Sequence, residues 1–442
     1  MPSVAVVGAG LSGLTAAHRL RVAGWQVRVF EAESKIGGRT KSHRAGGYLI
    51  DSGASALGAS YRAYLNLAEE LGLADQVVPA SPYVGIYRDG RIHHLRLDRM
   101  IRSGIGTGLL SWRSKARLAR LAAALARAKA SGWLDYSDMR RSAPLDTETA
   151  RAYAMRALNP ELDSYFCEPV VRTMLIADTD KVSKVELFSG IANILTAQIY
   201  ALLGGQGRLA DVLAAGQDVT LDAPVEEVRD RGDHVELAYR TNGREVTGHY
   251  DACVITAPLP IATAICPDRA AVLRPLNEAM TYTQSITVAI GTTVLPRTPA
   301  MLIQLPSCAD PDIALMFVEH NKAPDRAPEG HGLIGCDWET GAAEKWMGAS
   351  DEEIVDHTLT SVRRVFPEIG DRVDFTDVSR WPQALPMTTV GAYRRIGEFN
   401  AALNPGDRIQ FAADYMSAAG QNTAIEFGTR AAANLAGRFA TP

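Results

Sequence analysis

The chain has few residues suited to holding a metal ion or a disulfide framework. Its 442 residues include five cysteines, with no Cys-x-x-Cys pair and no histidine spacing suited to zinc. The five are Cys167, Cys253, Cys266, Cys308 and Cys336. We therefore predict reduced structural thiols and no metal site. Any chemistry then has to come from a bound cofactor or from acid, base and aromatic side chains.

Long apolar runs and a strong net charge are also missing. No run of about 18 apolar residues occurs, which argues against a membrane-spanning helix. The chain begins with a strand-like segment rather than a basic and then apolar leader, which predicts a cytoplasmic protein. The formal charge of −4 and the pI near 6.2 give no reason to expect nucleic acid as a partner. A length of 442 residues predicts two lobes.

What the sequence does contain is a glycine-rich turn near its start. Four apolar residues, 4–7, predict a buried parallel strand, and a helical run follows the turn. In a Gly-x-Gly-x-x-Gly turn the backbone comes close to a pyrophosphate, and the helix N-terminus favours that anion. Glu31 ends the next predicted strand, where an acid suits a ribose hydroxyl pair and disfavours a 2′-phosphate. The predicted contacts of the turn are Gly8, Gly10, Leu11, Ser12 and Gly13.

A second motif follows at once, Glu31-Ala32-Glu33-Ser34-Lys35-Ile36-Gly37-Gly38-Arg39-Thr40. It resembles the second signature of the flavin-dependent amine oxidase superfamily, which includes protoporphyrinogen oxidases and phytoene desaturases. The resemblance implies that FAD is the cofactor and that this segment follows its diphosphate and ribityl chain. Paired glycines permit close backbone approach, and the arginine supplies donors to phosphate oxygens. A nicotinamide-linked dehydrogenase shares the first motif but does not need the second.

The same resemblance assigns cofactor contacts in distant parts of the chain. A small-residue turn after the strand at 48–51 passes beside the flavin ring, and the residue after Pro224 contacts the adenine through its backbone. A tryptophan packs near the ring, an acid reaches the ribityl or phosphate, and a helix starts under the pyrimidine edge. Helix amides there stabilise the negative charge of reduced flavin. The positions implied are Gly53, Ala54, Ser55, Val225, Trp381, Asp414, Asn422, Thr423 and Ala424.

The order of these segments predicts an α/β fold with a Rossmann-like FAD-binding domain assembled from separated pieces. We assign FAD-binding parts to residues 1–74, 205–261 and 386–442. Residues 75–204, largely helical in composition, and 262–385 form a substrate domain of mixed sheet and helices. Within these parts we predict an antiparallel ribbon near 235–247, strands at 313–318 and 332–338, and a helix opened by a Ser350–Glu353 capping box.

The stretch from Arg91 to Ala130 carries ten Lys or Arg residues against one acid, Asp98. Apolar residues are interleaved with them, so an amphipathic basic helix of the kind that lies on membranes is one interpretation. The interpretation we prefer is a solvated helix face without a membrane partner.

Two departures from the amine oxidase pattern bear on the reaction. The segment 282–290, which by chain order should hold a lysine near the flavin, has none, and no aromatic residue stands at 420–422. No general base stands out, so the catalytic residues stay unassigned.

Three functions remain open. The first is hydride removal from a C–N bond of an amine, amide or amino acid derivative, with O2 reoxidising the flavin. The second is desaturation, oxidation or isomerisation at C–C bonds of a porphyrinogen, carotenoid or specialised metabolite. The third is a flavin-binding protein without turnover.

Overall fold

The computed structural model describes residues 1–135, 139–194 and 198–439. Its strands, numbered along the chain, are β1 (Ser3–Val7), β2 (Gln26–Phe30), β3 (Ser42–Ala45), β4 (Tyr48–Asp51), β5 (Leu57–Gly58), β6 (Val77–Pro79), β7 (Tyr83–Arg88), β8 (Arg91–Arg96), β9 (Ile199–Leu202), β10 (Asp218–Thr220), β11 (Val225–Asp230), β12 (Val235–Thr241), β13 (Arg244–Tyr250), β14 (Ala252–Ile255), β15 (Met280–Tyr282), β16 (Ser285–Thr292), β17 (Ala300–Gln304), β18 (Ile313–Val318), β19 (Gly332–Trp338), β20 (Val373–Trp381), β21 (Pro386–Thr388) and β22 (Ile409–Phe411).

The helices, numbered in the same way, are α1 (Leu11–Val22), α2 (Arg62–Glu70), α3 (Met100–Gly106), α4 (Trp112–Ala130), α5 (Ala150–Ala157), α6 (Pro160–Leu162), α7 (Glu168–Leu175), α8 (Lys184–Ile194), α9 (Arg208–Ala214), α10 (Leu259–Ile265), α11 (Ala270–Ala279), α12 (Thr340–Trp346), α13 (Asp351–Val365), α14 (Ala392–Ala402) and α15 (Gln421–Phe439). No helix of the described segments combines the length and apolarity needed to cross a membrane.

A five-stranded parallel sheet forms the first half of the fold, in the order β10-β2-β1-β14-β22. The central strand β1 is buried because its residues 4–7 are apolar on both faces. Helix α1 covers the sheet with Leu14, Ala17 and Leu20, which are fully buried. Parallel strands end at the same edge of a sheet, so the turns after β1, β2, β14 and β22 meet there. This arrangement confirms the predicted α/β fold.

A seven-stranded mixed sheet forms the second half, in the order β20-β16-β19-β18-β17-β7-β8. Neighbouring strands are antiparallel except β17 and β7, which run parallel. The strands predicted at 313–318 and 332–338 are β18 and β19. The capping box that opens α13 is also confirmed, with both Ser350 and Glu353 hydrogen bonds present.

The predicted antiparallel ribbon is present as β12 and β13, with β11 as a third strand. The strands of the parallel sheet all fall in residues 1–74, 205–261 and 386–442, and those of the seven-stranded sheet fall in 75–204 and 262–385. The five-part domain division stays a prediction, since the chain also forms smaller sheets between these parts.

One region differs from its prediction. The start of the basic stretch is not helical, because Arg91–Arg96 forms β8 in a hairpin with β7. The hairpin turn is Asp89-Gly90, and both residues have positive φ, 52° and 75°. An Asp-Gly pair suits a two-residue turn that needs positive φ at both positions. The helical part of the basic stretch therefore begins only after β8, with a 3₁₀ turn at Leu97–Arg99 followed by α3 and α4.

Candidate active site

The glycine turn brings the start of α1 against the end of β1. A Cβ added at Gly13 would lie 2.0 Å from the Gly8 carbonyl oxygen, so only glycine permits this approach. Gly8 itself has φ of 104°, in the left-handed region that favours glycine. The first amides of α1 have no partner within the helix and are suited to an anion.

Glu31 faces this turn from the end of β2. Its Oε2 accepts a hydrogen bond from the Ala9 amide at 2.7 Å, and its Oε1 accepts one from the Glu33 amide at 3.0 Å. The Glu31 carbonyl accepts from the Ala223 amide at 2.8 Å. These bonds place Val225, at the start of β11, on the same side of the site as Glu31, the acid that we assign to the ribose.

The second glycine motif lies directly on the first. Gly37 and Gly10 form an isolated parallel bridge, and a Cβ at Gly38 would lie 3.2 Å from the Gly10 Cα. Both Gly37 and Gly38 have positive φ, 101° and 56°. The two motifs thus form one surface of closely spaced backbone, which fits a dinucleotide diphosphate.

Arg39 joins three separated segments. Its Nη2 donates to Asp414 Oδ1 at 2.8 Å, and its Nη1 donates to the Ala384 carbonyl at 3.0 Å. We predicted separate cofactor contacts for Arg39 and Asp414, whereas the structure shows that the two also bind each other. The pair places one positive and one negative group side by side along the cavity that these motifs line.

The turn after β4 lies between the two glycine motifs and the seven-stranded sheet. Trp381 Nε1 donates to the Ser52 carbonyl at 2.6 Å, and a Cβ at Gly53 would lie 2.2 Å from the Arg39 carbonyl oxygen. Ser55 Oγ donates to Glu319 Oε1 at 3.2 Å and accepts from Lys322 Nζ. The turn of Gly53, Ala54 and Ser55 is predicted to pass beside the flavin ring, and we call it the ring-side turn. It is held by Trp381 on one side and by charged groups on the other.

Those charged groups form a buried ionic cluster of Asp51, Glu319, Lys322 and Arg326. Lys322 Nζ lies 2.6 Å from Glu319 Oε2 and 3.5 Å from Asp51 Oδ2, and Arg326 Nη2 lies 3.2 Å from Asp51 Oδ2. The four side chains are almost fully buried. This cluster was not predicted from the sequence; its signal was the close spacing of four charged residues within Glu319–Arg326, next to an apolar strand.

The last predicted segment is only partly brought to the site. Helix α15 begins at Gln421, and Ala424 lines the cavity, but Asn422 and Thr423 do not. Asn422 Oδ1 instead accepts from the amides of Ala63 and Tyr64, at 2.8 and 3.3 Å, and so holds the first turn of α2. The Asn422 side chain thus binds α2, and the cofactor contacts of Asn422 and Thr423 stay a prediction.

One continuous cavity of about 1530 Å³ runs between the two large sheets. Single ligand pockets commonly measure about 300–1,000 Å³, so this cavity has room for a dinucleotide and a substrate together. The predicted positions that line it are Gly8, Gly10, Leu11, Ser12, Glu31, Ala32, Gly37, Gly38, Arg39, Thr40, Gly53, Ala54, Ser55, Val225, Trp381, Asp414 and Ala424. Gly13 is not among them; it lies against the Gly8 carbonyl and the Thr256 side chain, and its contact with the cofactor stays a prediction.

The far half of the cavity is mostly apolar, although Lys115, Lys129, Thr173 and Gln304 also line it. It is lined by residues of β7, β8, α3, α4, α7 and β17, including Ile86, Leu95, Leu118, Val170 and Leu302. Tyr61 also lines the cavity, and its hydroxyl would be 3.4 Å from a Cβ at Gly420. An aromatic residue thus reaches the position at 420–422 where the sequence has none, from a distant part of the chain.

Among the described residues that line the cavity, Asp337 is the one acidic residue outside the FAD-binding segments. It lies on β19 opposite Thr287 of β16, whose Oγ1 donates to Asp337 Oδ1 at 2.8 Å. Burial raises the pKa of Asp337 to about 6, against the opposing effects of the Thr287 hydrogen bond and the nearby Lys322; Glu319 adds to the increase. From the sequence, 332–338 is predicted only as a strand; an aspartate within that apolar run was the signal for a further role.

The class of the protein follows from this site together with its match to a known family. Residues 11–436 match the family of flavin-containing amine oxidoreductases, and the chain belongs to that family. It is therefore an FAD-dependent oxidoreductase, and the resemblance found in the sequence is confirmed. A flavin-binding protein without turnover is no longer a supported alternative.

Individual relatives differ in their reactions. The chain is 25% identical to coproporphyrinogen III oxidase of Mycobacterium tuberculosis (strain ATCC 25618 / H37Rv), over 98% of this chain and 97% of the relative. Its fold is similar to cyclohexylamine oxidase from Brevibacterium oxydans, with a TM-score of 0.80, 20% identity and full coverage of both chains. It is also similar to a putative protoporphyrinogen oxidase from Exiguobacterium, with a TM-score of 0.75, 19% identity and 98% coverage of each chain.

Proposed function

We propose that the protein removes a hydride from the carbon of a C–N bond in a bulky, mostly apolar amine, and that O2 reoxidises the flavin. Amides and amino acid derivatives belong to the same reaction class. The observation that carries the proposal is the carboxyl group of Asp337, the one acidic group outside the FAD-binding segments among the described residues that line the cavity. The bound flavin supplies the two-electron acceptor.

Asp337 suits a substrate that arrives as an ammonium ion. A carboxylate attracts the cation, whereas an apolar cavity disfavours both charges when they are separated. Transfer of a proton from the ammonium nitrogen to the carboxylate makes both groups neutral. The neutral amine can then give up a hydride from its α-carbon, and the product leaves as the protonated imine.

Thr287 positions this carboxyl group. Because its hydroxyl donates to Asp337 Oδ1, the other oxygen, Oδ2, is left to accept from the substrate. Burial brings the pKa of Asp337 to about 6, so at neutral pH the group is mostly ionised and still able to hold a proton. A group in this state can both attract the cation and accept its proton.

Oxidation at C–C bonds of a porphyrinogen is the second candidate. Its support is the similarity over nearly the whole chain to coproporphyrinogen III oxidases, together with Thr287 in a segment without lysine. A substrate with several carboxylates would be repelled by Asp337, which is why we place this reaction second.

The test is anaerobic bleaching of the flavin followed by hydrogen peroxide measurement in air. Cyclohexylamine and longer N-alkyl amines are compared with coproporphyrinogen III. We expect an amine to bleach the flavin and release peroxide. Bleaching by the porphyrinogen alone would instead establish the second candidate and reject the first.

A variant that removes the charge of Asp337 tests its role, and a matched variant controls for nonspecific effects of losing a carboxylate. Asp337→Asn should raise the KM for the amine by roughly tenfold to a hundredfold, the range expected for a lost charged hydrogen bond. Asp377→Asn removes a carboxylate from β20 of the same sheet, outside the cavity, and should leave KM near the wild-type value. Equal effects of the two variants would contradict the role given to Asp337.

A further inference from the structure

Three large apolar side chains are exposed on two successive helices. Ile101 and Ile105 of α3 are 74% and 69% exposed, and Trp112 of α4 is 74% exposed. Ile101 and Ile105 are four residues apart and so lie on one face of α3. Lys115 Nζ donates to the carbonyls of Ile105 and Thr107, at 2.7 and 2.6 Å, which ties the first turn of α4 to the end of α3. Exposed apolar clusters of this kind mark interaction sites.

The same surface is strongly basic. Between residues 91 and 130 there are ten Lys or Arg residues and one acid, Asp98, which is already paired with Arg96 at 2.7 Å. Arg102, Arg113 and Arg120 are exposed on α3 and α4. We call the exposed side chains of Ile101, Ile105, Trp112 and these three arginines the α3–α4 surface.

The cavity opens at this surface. Ile101 and Ile105 line it, although they are exposed, and so do the exposed Ala119, Ala122 and Ala126 along α4. An apolar compound bound at the α3–α4 surface would therefore reach the apolar half of the cavity without passing through bulk water.

We propose that the α3–α4 surface docks on an anionic lipid surface, with its apolar side chains at the headgroup boundary and its arginines on lipid phosphates. Apolar side chains flanked by basic ones bind such interfaces by burial and by charge attraction together. A second copy of this chain fits less well, because two such basic surfaces repel each other. The structure thus changes the preference drawn from the sequence for a solvated helix face.

The experiment is flotation of the flavin-loaded protein with vesicles, which requires no turnover and so does not depend on the proposed reaction. One set is an equimolar mixture of phosphatidylglycerol and phosphatidylcholine, and the other is phosphatidylcholine alone. We expect binding to the anionic vesicles, weakened by added salt, and at least about tenfold weaker binding to the neutral ones.

Two variants and one matched control test the surface. Ile101→Gln/Ile105→Gln/Trp112→Gln and Arg102→Gln/Arg113→Gln/Arg120→Gln should each weaken anionic binding by about tenfold or more. The control, Val22→Gln/Leu295→Gln/Val390→Gln, changes three exposed apolar residues elsewhere and should bind as the wild type does. Flavin absorbance and thermal unfolding identify any variant that is misfolded.

Several outcomes would overturn the proposal. These are absence of wild-type binding to anionic vesicles, equal binding to neutral vesicles, or equal losses in the control and the surface variants. A wild-type dimer that becomes a monomer in the Ile101→Gln/Ile105→Gln/Trp112→Gln variant would show that a second copy covers the surface.

Discussion

At the scale of single residues, Asp337 makes the stability of the protein depend on pH. Its pKa is raised from the ordinary 3.8 to about 6 by burial. Below about pH 4 the group is protonated in both folded and unfolded chains. Between about pH 4 and 6 the unfolded chain releases the proton while the folded chain keeps it, so the free energy of unfolding falls as pH rises.

Asp337→Asn should remove this loss of stability. The shift of about two pKa units corresponds to a loss of at most about 3 kcal/mol in the free energy of unfolding. Because Asp337 borders an open cavity, solvent screening reduces this loss to about 1–2 kcal/mol. We expect the variant to exceed the wild type by that amount at pH 7.5 and to match it near pH 4. Asparagine can still accept the Thr287 hydrogen bond. Urea unfolding of both proteins at the two pH values measures the difference; a gain of equal size at pH 4 would show that the carboxyl charge is not its cause.

At the scale of elements, the site divides into parts that could and could not be predicted from the sequence. The β1–α1–β2 unit and the 31–40 motif were predictable because turn, helix dipole and acid lie within forty consecutive residues. Asp337 and Lys322 were not, because their roles arise from pairing of distant strands. Asn422 has the right position for the cofactor helix but bonds to α2, and no local pattern distinguishes these two uses.

The buried ionic cluster shows how distant elements hold the ring-side turn. Asp51 ends β4, whereas Glu319, Lys322 and Arg326 follow β18, so the cluster joins the turn to the seven-stranded sheet. Asp51 Oδ1 also accepts from the Gln206 amide at 2.8 Å, which adds the segment before α9. Two cations and two anions compensate each other in this buried cluster, so loss of one member leaves an unpaired buried charge.

Lys322→Met should therefore lower the free energy of unfolding by about 3–5 kcal/mol. The double variant Lys322→Met/Glu319→Gln removes one charge of each sign and should recover part of that loss. Arg395→Met breaks the exposed Arg395–Glu398 pair on α14 and should cost no more than about 1 kcal/mol. Urea unfolding compares the three variants. A Lys322→Met cost as small as that of Arg395→Met would contradict the role given to the buried cluster.

At the scale of the whole molecule, the FAD-binding surface consists of segments that meet only in the folded chain. One end of the cavity is surrounded by Gly8, Gly10, Leu11, Ser12, residues 31–33 and 37–40, Val225, Ala384 and Asp414. A ligand that contacts all of them binds the folded chain and not the unfolded one, so it stabilises both sheets together. The flavin is therefore expected to act as a structural link between the two halves as well as an electron acceptor.

If FAD links the two halves, FAD and not NADP+ should raise the thermal stability of the protein. FAD at about one hundred times its Kd should add about 2.7 kcal/mol to the flavin-free protein, and NADP+ should add none because Glu31 opposes its 2′-phosphate. Gly13→Ala should lose the FAD response, since the new Cβ would lie 2.0 Å from the Gly8 carbonyl oxygen. Gly437→Ala, in α15 with open space around it, should keep the response and gain up to about 1 kcal/mol from helix propensity. Thermal unfolding with each nucleotide measures these differences. Stabilisation by NADP+ equal to that by FAD, or an unchanged FAD response in Gly13→Ala, would show that the glycine turn and Glu31 do not form the dinucleotide site.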